Sequence, residues 1–286
     1  RYVLQGLFLV SVFLVAALPV AAQHDHGGDA ETVGDALPES FSEPIPLYPT
    51  VIGKHTHDIS SSNAEAKAYF WQGFQLMYAF AKEEATRSFR EAWKSDPDCA
   101  ICYWGEAWSW GSYLNGPMRP FEAPHAYAAM KEAVARLEQA NEKEQAYIEA
   151  LQSRYVENFD PETRRDQDEA YADAMQQLAQ SYPNDLDAVT LYADALFLLE
   201  PRRGTRDLAD PNVQRLHGVL ESVLARDITH PGACHLYIHA TESTTDPGKA
   251  AACAEYLGDE IPGASHINHM PSHTCLLYTS DAADEG

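Results

Sequence analysis

The sequence predicts an all-α fold built from antiparallel helix pairs. Three observations carry this: helical spacing of small and apolar residues in AKAYFWQGFQLMYAFAKEEATRSFREAWKSDP, a proline-then-helix junction that recurs along the chain, and almost no β signal. In the stretch Ala66 to Pro97, Tyr69, Gly73 and Leu76 form one stripe and Ala85, Phe89 and Ala92 another, separated by a polar break at Ala81 to Glu84. Two helices folded back on each other follow, with Gly73 as the point of close approach and Pro97 closing the pair.

The elements then read in order. Residues 1–22 begin with Arg1, run through the apolar core Val3 to Leu18 and end in Pro19-Val20-Ala21-Ala22, the pattern of a secretory signal peptide that lacks its first residues. The apolar run is too short for a convincing membrane span, and export to a bacterial periplasm is expected. Residues 23–57 form an acidic, histidine-containing lead. Up to about Tyr48 it has too few large apolar residues to bury surface, so a flexible tract is expected. His24 and His26, then His55 and His57, are His-x-His pairs able to chelate metal weakly or simply to be solvated, and only the second pair lies near the first helix.

Ser62-Asn63-Ala64-Glu65 reads as a capping box for that first helix. Asp98 is placed to cap a helix to about Trp110, followed by the breaker-rich loop GSYLNGPMRPFEAP. Helices are expected at about Pro124 to Gln139, Glu142 to Glu157 behind the cap Asn141, Asp166 to Tyr182, and Ala188 to Leu199. Asp210-Pro211 opens another that runs to about Arg226, Pro231 to Ser243 a further one, and Asp246-Pro247 its partner to about Leu257. Pro271 is expected in the first turn of a last helix. The closing stretch CLLYTSDAADE back-translates to a sequence like a transposon-end sequencing adapter, so residues 275–286 are expected not to be native and the chain to be a fragment at both ends.

The bulky-small-Ala-Phe-Ala-Pro order within Ala66 to Pro97 resembles the tetratricopeptide repeat, which implies an α-solenoid, a superhelix of stacked helix pairs over residues 58–274. The segments YFWQGFQLMYAF, SFREAWKSDPDCAICYWGEAW, DLDAVTLYADAL, HPGACHLYIHATE and HINHMPSH are similar to a bacterial subgroup of exported tetratricopeptide proteins. That resemblance covers nearly all of Ala64 to His273 and implies fold and export, not an activity.

Composition narrows the function classes. The 286 residues carry 20 Lys plus Arg against 43 Asp plus Glu, a net charge of −23, which repels phosphate backbones and anionic membranes. Nucleic acid is therefore excluded as a natural partner, while a protein or peptide in a concave groove suits a repeat scaffold. No phosphate-cradling glycine loop, nucleophile elbow or His-Glu-x-x-His motif is present.

Histidines supply the strongest candidate chemistry, six of the twelve lying between His230 and His273. His235, His239 and Glu242 share one helix face. His266, His269 and His273 follow within eight residues. If leading helices of successive repeats line one groove, these imidazoles converge as ligands for Zn, Cu or Ni, with Glu242 as a further ligand or as the base of a metal-dependent hydrolase. The alternative is a row of polar groove residues in a metal-free interaction module, and His230 reads as part of the junction before Pro231.

Cys99-Ala-Ile-Cys102 is either a structural pair or a redox centre, and the absence of a βαβ context favours the former. Cys234 and Cys253 lie on partner helices and can bridge. The aromatics around Trp104 and Trp108 are either inter-repeat packing or a stacking platform in the groove.

Overall fold

The first helix begins where Asn63 accepts hydrogen bonds from the backbone N–H groups of Glu65 and Ala66, so the cap is Asn63 rather than Ser62. In the computed structural model of the chain, residues 39–48, 53–201, 204–258 and 260–284 are described, 275–284 by backbone alone. The expected signal peptide, and the lead as far as residue 38 with His24 and His26, lie outside the described residues.

Helix α1, Ala64–Tyr78, and α2, Lys82–Ser95, form the first antiparallel pair. Phe89 is the wedge of this pair: a Cβ at Gly73 would sit 2.9 Å from its ring and one at Gly105 only 2.3 Å away. Two glycines on neighbouring helices thus make room for one aromatic side chain. Helix α3, Ala100–Trp110, starts at Cys99 without a side-chain cap. Asp98 therefore does not cap it; its own N–H is turned onto Asp96 Oδ1 at 3.3 Å.

The remaining helices are α4 (Ala123–Ala135), α5 (Glu142–Gln152), α6 (Arg164–Ser181), α7 (Leu186–Phe197), α8 (Pro211–Leu224), α9 (Pro231–Thr241), α10 (Ala251–Leu257) and α11 (Ser265–Asp284). Asn141 and Glu144 form the capping box that opens α5, and Asp210 caps α8 with Pro211 in its first turn. Asp246-Pro247 instead opens a short 3₁₀ turn, Pro247–Ala250, because Asp246 makes no side-chain cap; α10 begins only after it. Pro271 lies inside α11, not in its first turn.

Among the described residues the structure is all-helical, and its helices pack mainly with their sequence neighbours. Odd-numbered helices also meet one another: α1 with α3, α3 with α5, α7 with α9, and α9 with α11. In addition α9 packs back against α1. At this contact Tyr78 fills the space that Gly232 leaves beside it.

The second half of the lead packs on this body. Phe41 stacks on Trp110 with ring centroids 5.0 Å apart, Arg87 donates to the carbonyls of Glu43 and Pro44, and Gln72 exchanges hydrogen bonds with Tyr48 and Pro46. Phe41 and Ile45 are buried, which is the apolar surface a composition average conceals. Trp104 and Trp108 are 1% and 3% exposed among Phe74, Phe89 and Tyr147, so packing, not a stacking platform, is their role. Cys99 pairs with Cys102, and Cys234 on α9 with Cys253 on α10, their Cα atoms 5.4 and 4.8 Å apart. No helix among the described residues is long and apolar enough to cross a membrane.

Candidate metal centre

Helix α9 is buried along its whole length because other helices surround it: α1, α7, α8, α10 and α11. His235 and His239, one turn apart, therefore point not into water but into the junction of α1, α9 and α11, at 0% and 4% exposure. The first turn of α11 adds His266 from across the junction, and its continuation adds His273.

Nε2 of His235 lies 3.1 Å from Nε2 of His239 and 3.1 Å from Nε2 of His266. The outer nitrogens decide what this means. His235 Nδ1 is 2.5 Å from the carbonyl oxygen of Tyr78, which can only accept, so the ring proton sits on Nδ1. His239 Nδ1 is 2.9 Å from Glu242 Oε1 and is protonated for the same reason. The Nε2 lone pair of His235 is then turned toward Nε2 of both His239 and His266, and ligand nitrogens of the three rings lie within 4.8 Å of one another.

Neither His235 nor His266 favours a proton here. Burial, reinforced by His239 and His266, drives His235 well below the ordinary histidine range. Burial and the neighbouring His239, His269 and His273 push His266 down to about 3. A metal fits the spacing, since two bonds of about 2.0–2.1 Å at a tetrahedral angle separate ligand nitrogens by roughly 3.3 Å. The carbonyl and the carboxylate on the outer nitrogens are the partners that orient metal-bound imidazoles elsewhere.

Comparison with family models, curated proteins and solved structures finds no match to this chain.

Of the residues expected as ligands, His235, His239 and His266 meet. His273 reaches the group through Glu242, whose second carboxylate oxygen accepts from His273 Nδ1. His239, Glu242 and His273 also have ligand atoms within 4.8 Å of one another. Burial raises the Glu242 carboxyl, but the hydrogen bonds from His239 and His273 outweigh it and hold the group well below the usual carboxylate range. Each oxygen of Glu242 thus accepts from one histidine, His239 on its own helix and His273 on α11. His269 is exposed, its ring centroid 4.7 Å from that of His266 and 5.1 Å from that of His273.

A second cluster gathers residues that sequence reasoning set aside. Asp187, in the first turn of α7 and 6% exposed, accepts from Tyr78 Oη at 2.6 Å, His57 Nδ1 at 2.7 Å, His55 Nε2 at 2.9 Å and His230 Nε2 at 3.1 Å. His55, Asp187 and His230 have ligand atoms within 4.8 Å, as do His57, Asp185 and Asp187. Here too the outer nitrogen decides. His230 is the N-cap of α9, its Nδ1 accepting from the Ala233 N–H at 3.1 Å, so its proton sits on Nε2 and is donated to Asp187. This group is a hydrogen-bonded hub that ties the lead, α1, α7 and α9 together. The signal missed was His-x-His before a helix combined with a second acid after the cap Asp185 in Asp185-Leu-Asp187. Beside the hub opens a polar cleft of about 530 Å³, lined by His57, Asp58, Lys143, Tyr182, Asn184 and Asp185 among others.

Proposed function

We propose that this chain is an exported helical-repeat protein, of the tetratricopeptide kind, that holds one transition-metal ion on His235, His239 and His266. The observation that carries the reading is the convergence of three imidazole nitrogens within 4.8 Å of one another, with the outer nitrogens of His235 and His239 held by Tyr78 O and Glu242 Oε1. Three imidazole nitrogens with a further position open suit zinc, copper or nickel, and the protein supplies neutral ligands so that the ion keeps its full charge. The two cysteine pairs fit an oxidising compartment, in keeping with an export leader ahead of the domain and a periplasmic location.

The test is metal content. Purified full-length protein, exposed in turn to zinc, copper and nickel and then dialysed, is expected to retain about one equivalent of at least one of them, and His235→Ala to retain none. Equal retention by both proteins contradicts the reading.

Binding of a protein or peptide is a second reading, favoured by the polar cleft beside the Asp187 hub. There Lys143, a third exposed, pairs at 2.8 Å with Asp185, the cap of α7, and is the cation that a partner's acidic group can meet.

A further inference from the structure

Phe80 is the single non-glycine residue with positive φ among the described residues, at 58°. It stands where α1 ends. The N–H of Ala81 bonds back to Leu76 O at 2.9 Å and that of Phe80 to Met77 O at 3.0 Å, the two hydrogen bonds of a Schellman cap. Phe80 is the left-handed residue of that cap, a position where glycine is strongly preferred because a side chain crowds the backbone. A bulky aromatic there calls for a compensating interaction.

The ring supplies one. Its centroid lies 4.2 Å from that of His235, 5.3 Å from His266 and 5.8 Å from His239, nearly parallel to the last, while Tyr113 holds it edge-on at 5.1 Å. One side chain thus touches all three imidazoles whose inner nitrogens converge. The ring is only half-buried, so it stands between the three histidines and the outside.

We infer that Phe80 is a specificity-determining residue of the metal centre: it covers the histidine triad and restricts the exchangeable position on the metal to small ligands of the size of water, hydroxide or azide. The inference rests on the metal reading above. Neither packing nor the cap alone asks for this residue, since glycine satisfies the cap and any apolar group at an ordinary φ packs.

The experiment uses the full chain loaded with cobalt(II), whose visible absorption reports ligand exchange, titrated with azide and with imidazole. The wild-type spectrum is expected to respond to azide and to resist imidazole. Phe80→Ala and Phe80→Gly are expected to take imidazole at least about 10-fold more tightly, with Phe80→Leu in between, and Phe80→Gly to melt higher than Phe80→Ala because glycine accepts the left-handed backbone. Phe80→Leu keeps an apolar side chain and serves if the smaller variants do not fold. Equal response to imidazole in wild type and variants overturns the inference while leaving the metal site standing. So does loss of cobalt from folded variants, which would make Phe80 a support for the ligands and not a cover. A wild-type protein that takes up no cobalt overturns both.

Discussion

Glu242 Oε1 lies 2.9 Å from His239 Nδ1, and the other oxygen of the same carboxylate accepts from His273 Nδ1. One residue at the end of α9 therefore fixes the tautomer of a histidine on its own helix and ties it to a histidine two turns into α11. Through this pair of bonds the carboxylate sets the orientation of His239 and joins α9 to α11.

Glu242→Gln tests that role. The amide keeps one acceptor oxygen and puts an N–H where the second stood, so one of the two histidines loses its partner. Metal affinity, measured by competition with a coloured chelator, is expected to fall about 10- to 100-fold with the helical content unchanged. An unchanged affinity would remove Glu242 from the site.

His230→Ala separates the two histidine clusters. Its loss removes the cap of α9, worth about 1 kcal/mol, and one donor to the buried Asp187, so the denaturation midpoint should drop. Metal stoichiometry should not change. A loss of one equivalent of metal would show that the hub, not the triad, is the centre.

The hub also has a definite pH window. Burial works against the Asp187 charge, but hydrogen bonds from His230, His55 and His57 hold its carboxyl well below the ordinary range, so its contribution is present above about pH 4 and is lost as pH falls below that. Burial lowers His55, yet its bond to Asp187 prevails and raises it, so this contribution is complete below about pH 6.5 and fades as pH rises beyond. Stability should therefore be greatest between about pH 4 and 6.5 as far as these groups decide it. Asp187→Asn is expected to cost about 3 kcal/mol within that window and to flatten the profile, measured by denaturant unfolding at several pH values.

Much of the fold was legible because its signals are local. Asn141 with Glu144, Asp210 with Pro211, and the Phe89 stripe each declare their element within a few residues. Asp98 and Asp246 carry the same cap signature without capping: α3 starts one residue later, at Cys99, and Asp246 makes no side-chain cap to the 3₁₀ turn it precedes. The triad was half legible: spacing put His235 and His239 on one face, but nothing local says that α9 closes onto α1, or that His266 outranks His269. The hub was not legible, since it joins residues 55, 78, 187 and 230 through tertiary contacts alone.

Phe89 offers a check on the packing. A methyl group at Gly105 would stand 2.3 Å from its ring, and one at Gly73 2.9 Å from the same ring. Gly105→Ala should therefore destabilise by about 2–3 kcal/mol in spite of alanine's better helix propensity, read from the urea midpoint. A neutral or stabilising result would mean that α1, α2 and α3 are not packed this closely.

The most direct measurement of the central claim is X-ray absorption at the metal edge of the loaded full-length protein. Three imidazole nitrogens at about 2.0–2.1 Å are expected, reduced to two in His266→Ala. A spectrum without imidazole scattering, or one that His266→Ala leaves unchanged, would contradict the account.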